Sequence, residues 1–116
     1  MVDDDPQLAE AVRRSLRAGY DVELAGGGAE ALERLRRGER FDVIVCDLRM
    51  PEMSGMELFG AIKGLSPEQA ERTVFVTGVA SSPQCAELLG QVHDLWLDEP
   101  FAPDQVRALI ERGLRR

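Results

Sequence analysis

Val43-Ile44-Val45-Cys46-Asp47 decides the fold. Four apolar residues, three of them β-branched, run without a polar break into an aspartate. A strand with one wet face alternates apolar and polar residues, whereas a parallel strand covered on both faces reads as one continuous apolar run. Working outward, Val74-Phe75-Val76 is a second buried strand and Leu95-Trp96-Leu97 a short third one. Helical spacing fills the intervals. After a loop with Pro51 and Gly55, a helix is striped by Leu58, Phe59, Ile62 and Leu65. Leu88, Leu89 and Val92 suggest a helix after Pro83, and Val106, Leu109, Ile110 and Leu114 stripe the last one.

Towards the start, Ala29, Leu32 and Leu35 outline a helix that ends near Gly38. Gly26-Gly27-Gly28 breaks the chain before it, and Val22 and Leu24 alternate with polar residues as in a half-exposed strand. Asp5-Pro6 has the form of a helix start, an aspartate cap followed by proline at the first helical position. Leu8, Val12 and Leu16 mark the buried face of that helix, to about Ala18, and Gly19 stops it. Strands alternating with helices imply an α/β fold, a parallel sheet covered on both faces. A length of 116 residues predicts one domain over 1–116. The first helix needs a strand before it, yet only Met1 and Val2 precede the acidic cluster; the expectation is a truncated first strand.

Composition narrows the function. The net charge of −7 argues against nucleic acid, which needs a cationic face. Lys63 is the only lysine; the other basic residues are arginines. No apolar run approaches a membrane span and no secretory signal is visible, so a cytoplasmic location is the default expectation. Cys46 and Cys85 lack metal-ligand spacing; Cys46 reads as a buried thiol, and a disulfide is not expected.

Three acidic residues stand where strands end: Asp3 and Asp4 after the first, Asp47 after Val43–Cys46. In open α/β sheets the ligand crevice lies outside the carboxyl ends of the strands, where the winding direction switches. If these two strands are neighbours there, the carboxylates converge, and the arrangement makes sense only with a cation. Carboxylates plus waters suit Mg2+. A carboxylate is also a nucleophile towards phosphorus, and a metal at the same spot neutralises the transferring group. Each residue has a plainer use. Asp5 caps a helix, Asp3 and Asp4 alone make a solvated acidic run, Asp47 caps a turn, and Thr77 before Gly78 is a turn residue.

The combination is specific. The sequence resembles the receiver domains of response regulators along nearly its whole length. The residues that carry the resemblance are Val2-Asp3-Asp4-Asp5, Cys46-Asp47-Leu48-Arg49-Met50-Pro51-Glu52-Met53-Ser54-Gly55, Val74-Phe75-Val76-Thr77-Gly78 and Asp98-Glu99-Pro100-Phe101. The resemblance implies that Asp47 is the phosphoacceptor. It implies that Asp3, Asp4, Asp47 and the backbone carbonyl of Arg49 hold Mg2+, with Asp4 usually the more direct member of the pair. Thr77 matches the hydroxyl that hydrogen-bonds the phosphoryl group, and Trp96 the aromatic switch position. The family fold is flavodoxin-like: a five-stranded parallel sheet, order 2-1-3-4-5, flanked by five helices.

One match fails. The family's lysine, two residues before the phenylalanine, is Glu99 here. A glutamate there replaces attraction by repulsion, up to about 4 kcal/mol per charge pair at close range. Lys63 falls on the third helix, out of place to substitute. The resemblance implies a phosphorelay function, with a histidine kinase, free or in the same polypeptide, as donor to Asp47. The alternative is an atypical receiver that acts as a protein-interaction module, its phosphorylation impaired by Glu99. A phosphohydrolase ranks far below, since the second aspartate that class wants is Arg49. The expected protein is therefore a signalling domain rather than an enzyme, with a downstream protein partner, no membrane contact and room for a homodimer. The Thr77 and Phe101 phrases also resemble receivers fused to the C-terminal end of hybrid histidine kinases.

Overall fold

The structure, a computed structural model, describes residues 1–48, 52–77, 96–98 and 102–115. Its elements are α1 (Pro6–Leu16), α2 (Gly28–Arg36), β1 (Ile44–Asp47), α3 (Gly55–Leu65), α4 (Pro67–Glu71), β2 (Thr73–Thr77), β3 (Trp96–Asp98) and α5 (Pro103–Leu114). The helix expected after Pro83, the second cysteine Cys85, the Arg49 carbonyl and Glu99 lie outside the described residues.

The strands form a parallel sheet in the order β1-β2-β3. Asp47 pairs with Val76, and Thr77 pairs with Asp98. On the other side of β1, Val2 makes single parallel bridges to Cys46 and to Ala25. Val22 and Leu24 do not form the expected strand: the chain is irregular over 21–24, with one bridge at Ala25 and a bond from the Met1 amine to Glu23 O. Alternation there needs a long neighbour to become a ladder, and the neighbour contributes one bridging residue, Val2.

The continuous apolar runs are covered on both faces, as their composition demands. Ile44, Cys46 and Phe75 pack with Leu32, Leu35, Leu58 and Ile62 from α2 and α3. Val45, Val74 and Val76 pack with Val12, Leu16, Val106, Leu109 and Ile110 from α1 and α5. Successive residues of one strand point to opposite faces, so each run feeds both layers.

The helix ends follow local chemistry. Asp5 caps α1, its carboxylate accepting from Gln7 N–H at 3.0 Å and Leu8 N–H at 3.3 Å. α2 ends in a Schellman turn: Gly38, at φ 96°, donates to Leu35 O and Glu39 donates to Arg34 O. Ser54 caps α3 by accepting from Glu57 N–H at 3.2 Å. The stripes need three corrections. Ala29 faces solvent, because the buried face of α2 is Gly28, Ala31, Leu32 and Leu35. Leu65 and Leu114 lie in the last turns of α3 and α5 and stay 43% and 38% exposed. α4 was not expected; five residues give no periodicity to read, although Ser66-Pro67 is a cap-and-proline start.

Candidate functional site

Backbone bonds bring the acidic residues together. Val2 N–H donates to Val45 O at 2.7 Å, and Asp47 N–H donates back to Val2 O at 2.9 Å. Asp3 N–H donates to Ala25 O at 3.1 Å. Asp3 and Asp4 therefore leave the sheet beside the carboxyl end of β1, where Asp47 sits. One carboxylate oxygen from each of Asp3, Asp4 and Asp47 lies within 4.8 Å of the others.

The acidic run is not uniformly solvated. Asp3 is 2% exposed and Asp47 8%, while Asp4 is open to solvent. Asp3 Oδ1 accepts from Asp5 N–H at 2.8 Å, which fixes its carboxylate at the mouth of α1. Two buried carboxylates and a third beside them repel one another, and a cation relieves that cost. Oxygens around one octahedral Mg2+ stand about 3–4 Å apart for bonds near 2.1 Å. The observed cluster, within 4.8 Å, is close to that spacing. The donor set, all hard oxygen, fits a hard divalent ion.

Gly55 explains the far end of the acidic motif. It donates to Leu48 O at 2.9 Å, closing the loop after Asp47. A Cβ at Gly55 would stand 2.7 Å from both Asp47 O and Leu48 Cα, so the start of α3 lies directly on the backbone of the acidic residue. Leu48 N–H in turn donates to Val76 O at 3.1 Å. Sequence reasoning had only the letter pattern for these contacts; Ser54…Glu57, with its capping-box spacing, is the signal that locates the helix start.

Thr77 ends β2 one residue beyond Val76, the partner of Asp47, so it lies at the same edge of the sheet. Trp96 opens β3 opposite Phe75. Lys63 is exposed in the last turn of α3, the end remote from Gly55 and Asp47. Cys46 is fully buried, and burial, helped by the Asp47 charge, pushes its thiol far above the usual range. It is a packing residue and no rival nucleophile. A cleft of about 400 Å³ opens elsewhere, beside Leu24, Val43, Ile44 and Ile110, and does not reach the acidic cluster.

A parallel sheet covered on both faces, with carboxylates gathered at its strand ends, defines a flavodoxin-like α/β domain of the CheY type. The chain belongs to the response regulator receiver domain family, whose model matches residues 1–111. Response regulator MprA of Mycobacterium leprae is 36% identical over 116 residues, covering 99% of this chain and 50% of that protein. Transcriptional regulatory protein ZraR of Escherichia coli is 35% identical over 115 residues, covering 98% of this chain and 25% of that protein. The chain thus spans a quarter to half the length of these relatives. Among solved structures, a CheY-like receiver domain protein of Methanospirillum hungatei superposes with a TM-score of 0.84 at 29% identity, covering 98% of this chain and 90% of that one. Chemotaxis protein CheY4 of Vibrio cholerae gives 0.80 at 34% identity, with coverage of 97% and 94%. This is a receiver domain of two-component signal transduction. Among the described residues no helix is long and apolar enough to cross a membrane.

Proposed function

We propose that the domain accepts a phosphoryl group on Asp47 from the phosphohistidine of a histidine kinase. The observation that carries this reading is the convergence of Asp3, Asp4 and Asp47 at the carboxyl end of the sheet. A carboxylate oxygen of Asp47 attacks phosphorus, the P–N bond to the donor imidazole breaks, and its electron pair returns to the ring. Asp3, Asp4, Asp47 and the Arg49 carbonyl are the proposed ligands of Mg2+, which supplies neutralising charge to the transferring group. Asp3 and Asp5 hold the local backbone in place through their hydrogen bond. Thr77 donates its hydroxyl hydrogen to a phosphoryl oxygen, and Trp96 reports the change to a downstream protein. The bridges from Ala25 through Val2 to Cys46, followed by β1-β2-β3, support the proposed strand order 2-1-3-4-5.

Glu99 favours a second reading, an interaction module with impaired phosphorylation. Beryllofluoride with Mg2+, which stands in for the phosphoryl group, separates the two. The expected result is binding by the natural protein, none by Asp47→Asn, and tighter binding by Glu99→Lys through a new attraction to the phosphoryl oxygens. Binding by Glu99→Lys alone makes the natural protein an interaction module. No binding by either overturns the phosphoacceptor role.

A further inference from the structure

The loop from Asp47 to α3 is tied to its own strand by Gly55. Its last residues before α3 are held by a different element. Met53, half-buried, packs against the apolar layer that includes Ala31, Leu32 and Leu48. It also lies over Gly28, the buried first residue of α2. A Cβ at Gly28 would stand 2.7 Å from Met53 Sδ and 3.2 Å from both Met53 Cβ and Cγ. Nonbonded carbons at rest stay about 3.5–4.0 Å apart. The thioether can swing aside, since methionine is flexible. Met53 Cβ is bonded to its own backbone, so a side chain at position 28 presses the backbone at Met53 and the start of α2 apart by a few tenths of an ångström.

We infer that Gly28 and Met53 are positioning residues for the acidic site: the start of α2 holds Met53, and through it the entry to α3 at Gly55, by a contact that a side chain at position 28 would push apart. The inference rests on Asp47 being the functional residue. Two residues beyond Met53, Gly55 lies directly on the backbone of Asp47 and Leu48. Mg2+ tolerates little departure from octahedral geometry, so displacing this loop registers as lost affinity. Core filling alone would lower stability without singling out the loop.

The test uses the full chain in four forms: natural, Gly28→Ala, Met53→Ala and the double variant. Two quantities are read, hydrogen exchange of the Gly55 amide and Mg2+ affinity by calorimetric titration. Gly28→Ala is expected to speed Gly55 exchange and weaken Mg2+ binding at least fivefold each. The double variant is expected to be less impaired than the sum of the two single variants, because Met53→Ala removes two of the three close atoms, Sδ and Cγ, and leaves only Cβ; such non-additivity marks direct coupling. Unchanged Gly55 exchange in Gly28→Ala, or full additivity in the double variant, overturns the inference. Where Gly28→Ala does not fold, Met53→Ala decides. Its Gly55 amide must be accelerated more than the Leu35 amide of α2 in the same sample, and equal acceleration overturns the inference. If the natural protein binds no Mg2+, the functional reading falls, while Gly55 exchange still decides the positioning role.

Discussion

Asp3, Asp4 and Asp5 share one side-chain chemistry and are given three surroundings by single-residue offsets. Asp3 is buried and accepts from the Asp5 backbone, Asp4 is exposed at the cluster, and Asp5 caps α1. The sequence made the cluster and the Asp5 cap legible, because strand-end carboxylates and Asp-Pro are local signals. The burial of Asp3 was not legible; it follows from Val2 inserting between Ala25 and Cys46, residues more than twenty positions away. Asp4, exposed and beside two buried carboxylates, is where repulsion and metal binding separate most cleanly. Asp4→Asn is expected to raise the melting temperature slightly in chelator, by the equivalent of at most about 1 kcal/mol given its exposure. In the same variant Mg2+ affinity should fall about tenfold, roughly 1.4 kcal/mol. A lower melting temperature in chelator would show that Asp4 feels no repulsion from its neighbours.

At the scale of elements, β1 and β2 were legible because an unbroken apolar run has one economical explanation, burial on both faces. Short or edge elements were not. α4 carries too few residues for a period; it buries Ala70 in the core and Gln69 beside it. Gln69, 5% exposed, accepts from Phe41 N–H at 3.0 Å and donates to Phe41 O at 2.8 Å, acting as a substitute strand partner for that backbone. Thr73 Oγ1 donates to Gln69 O at 2.8 Å, so the same residue is also tied to the start of β2. No pattern of apolar spacing announces such a clamp. Gln69→Ala removes both partners of the Phe41 peptide groups while leaving the backbone bond from Thr73 in place. The expected loss is about 1–3 kcal/mol, the cost of stranding half-buried polar groups, read as a lower urea midpoint with an unchanged slope. A change under about 0.5 kcal/mol would mean that water replaces the clamp freely.

The whole molecule joins two apolar layers through one sheet, and the acidic site lies at an edge built from positions 3 to 47 of the chain. These carboxylates meet only when Val2 is bridged to Cys46, so the unfolded chain has no equivalent site. A ligand that binds the folded state alone stabilises it by RT ln(1 + [L]/Kd), about 2.7 kcal/mol at a hundredfold excess over Kd. For a domain of this size each kcal/mol moves the melting temperature by several degrees. Saturating Mg2+ is therefore expected to raise the melting temperature by roughly ten degrees, continuing upward with the logarithm of concentration. An equal ionic strength of sodium chloride gives only the screening of surface charge, which separates specific binding from the effect of salt on a chain of net charge −7. Asp47→Asn should remove most of the Mg2+ increment while keeping the sodium increment. Scanning calorimetry with both salts and both proteins checks the prediction, and identical shifts for Mg2+ and sodium at matched ionic strength would show that the cluster is an acidic surface and not a metal site.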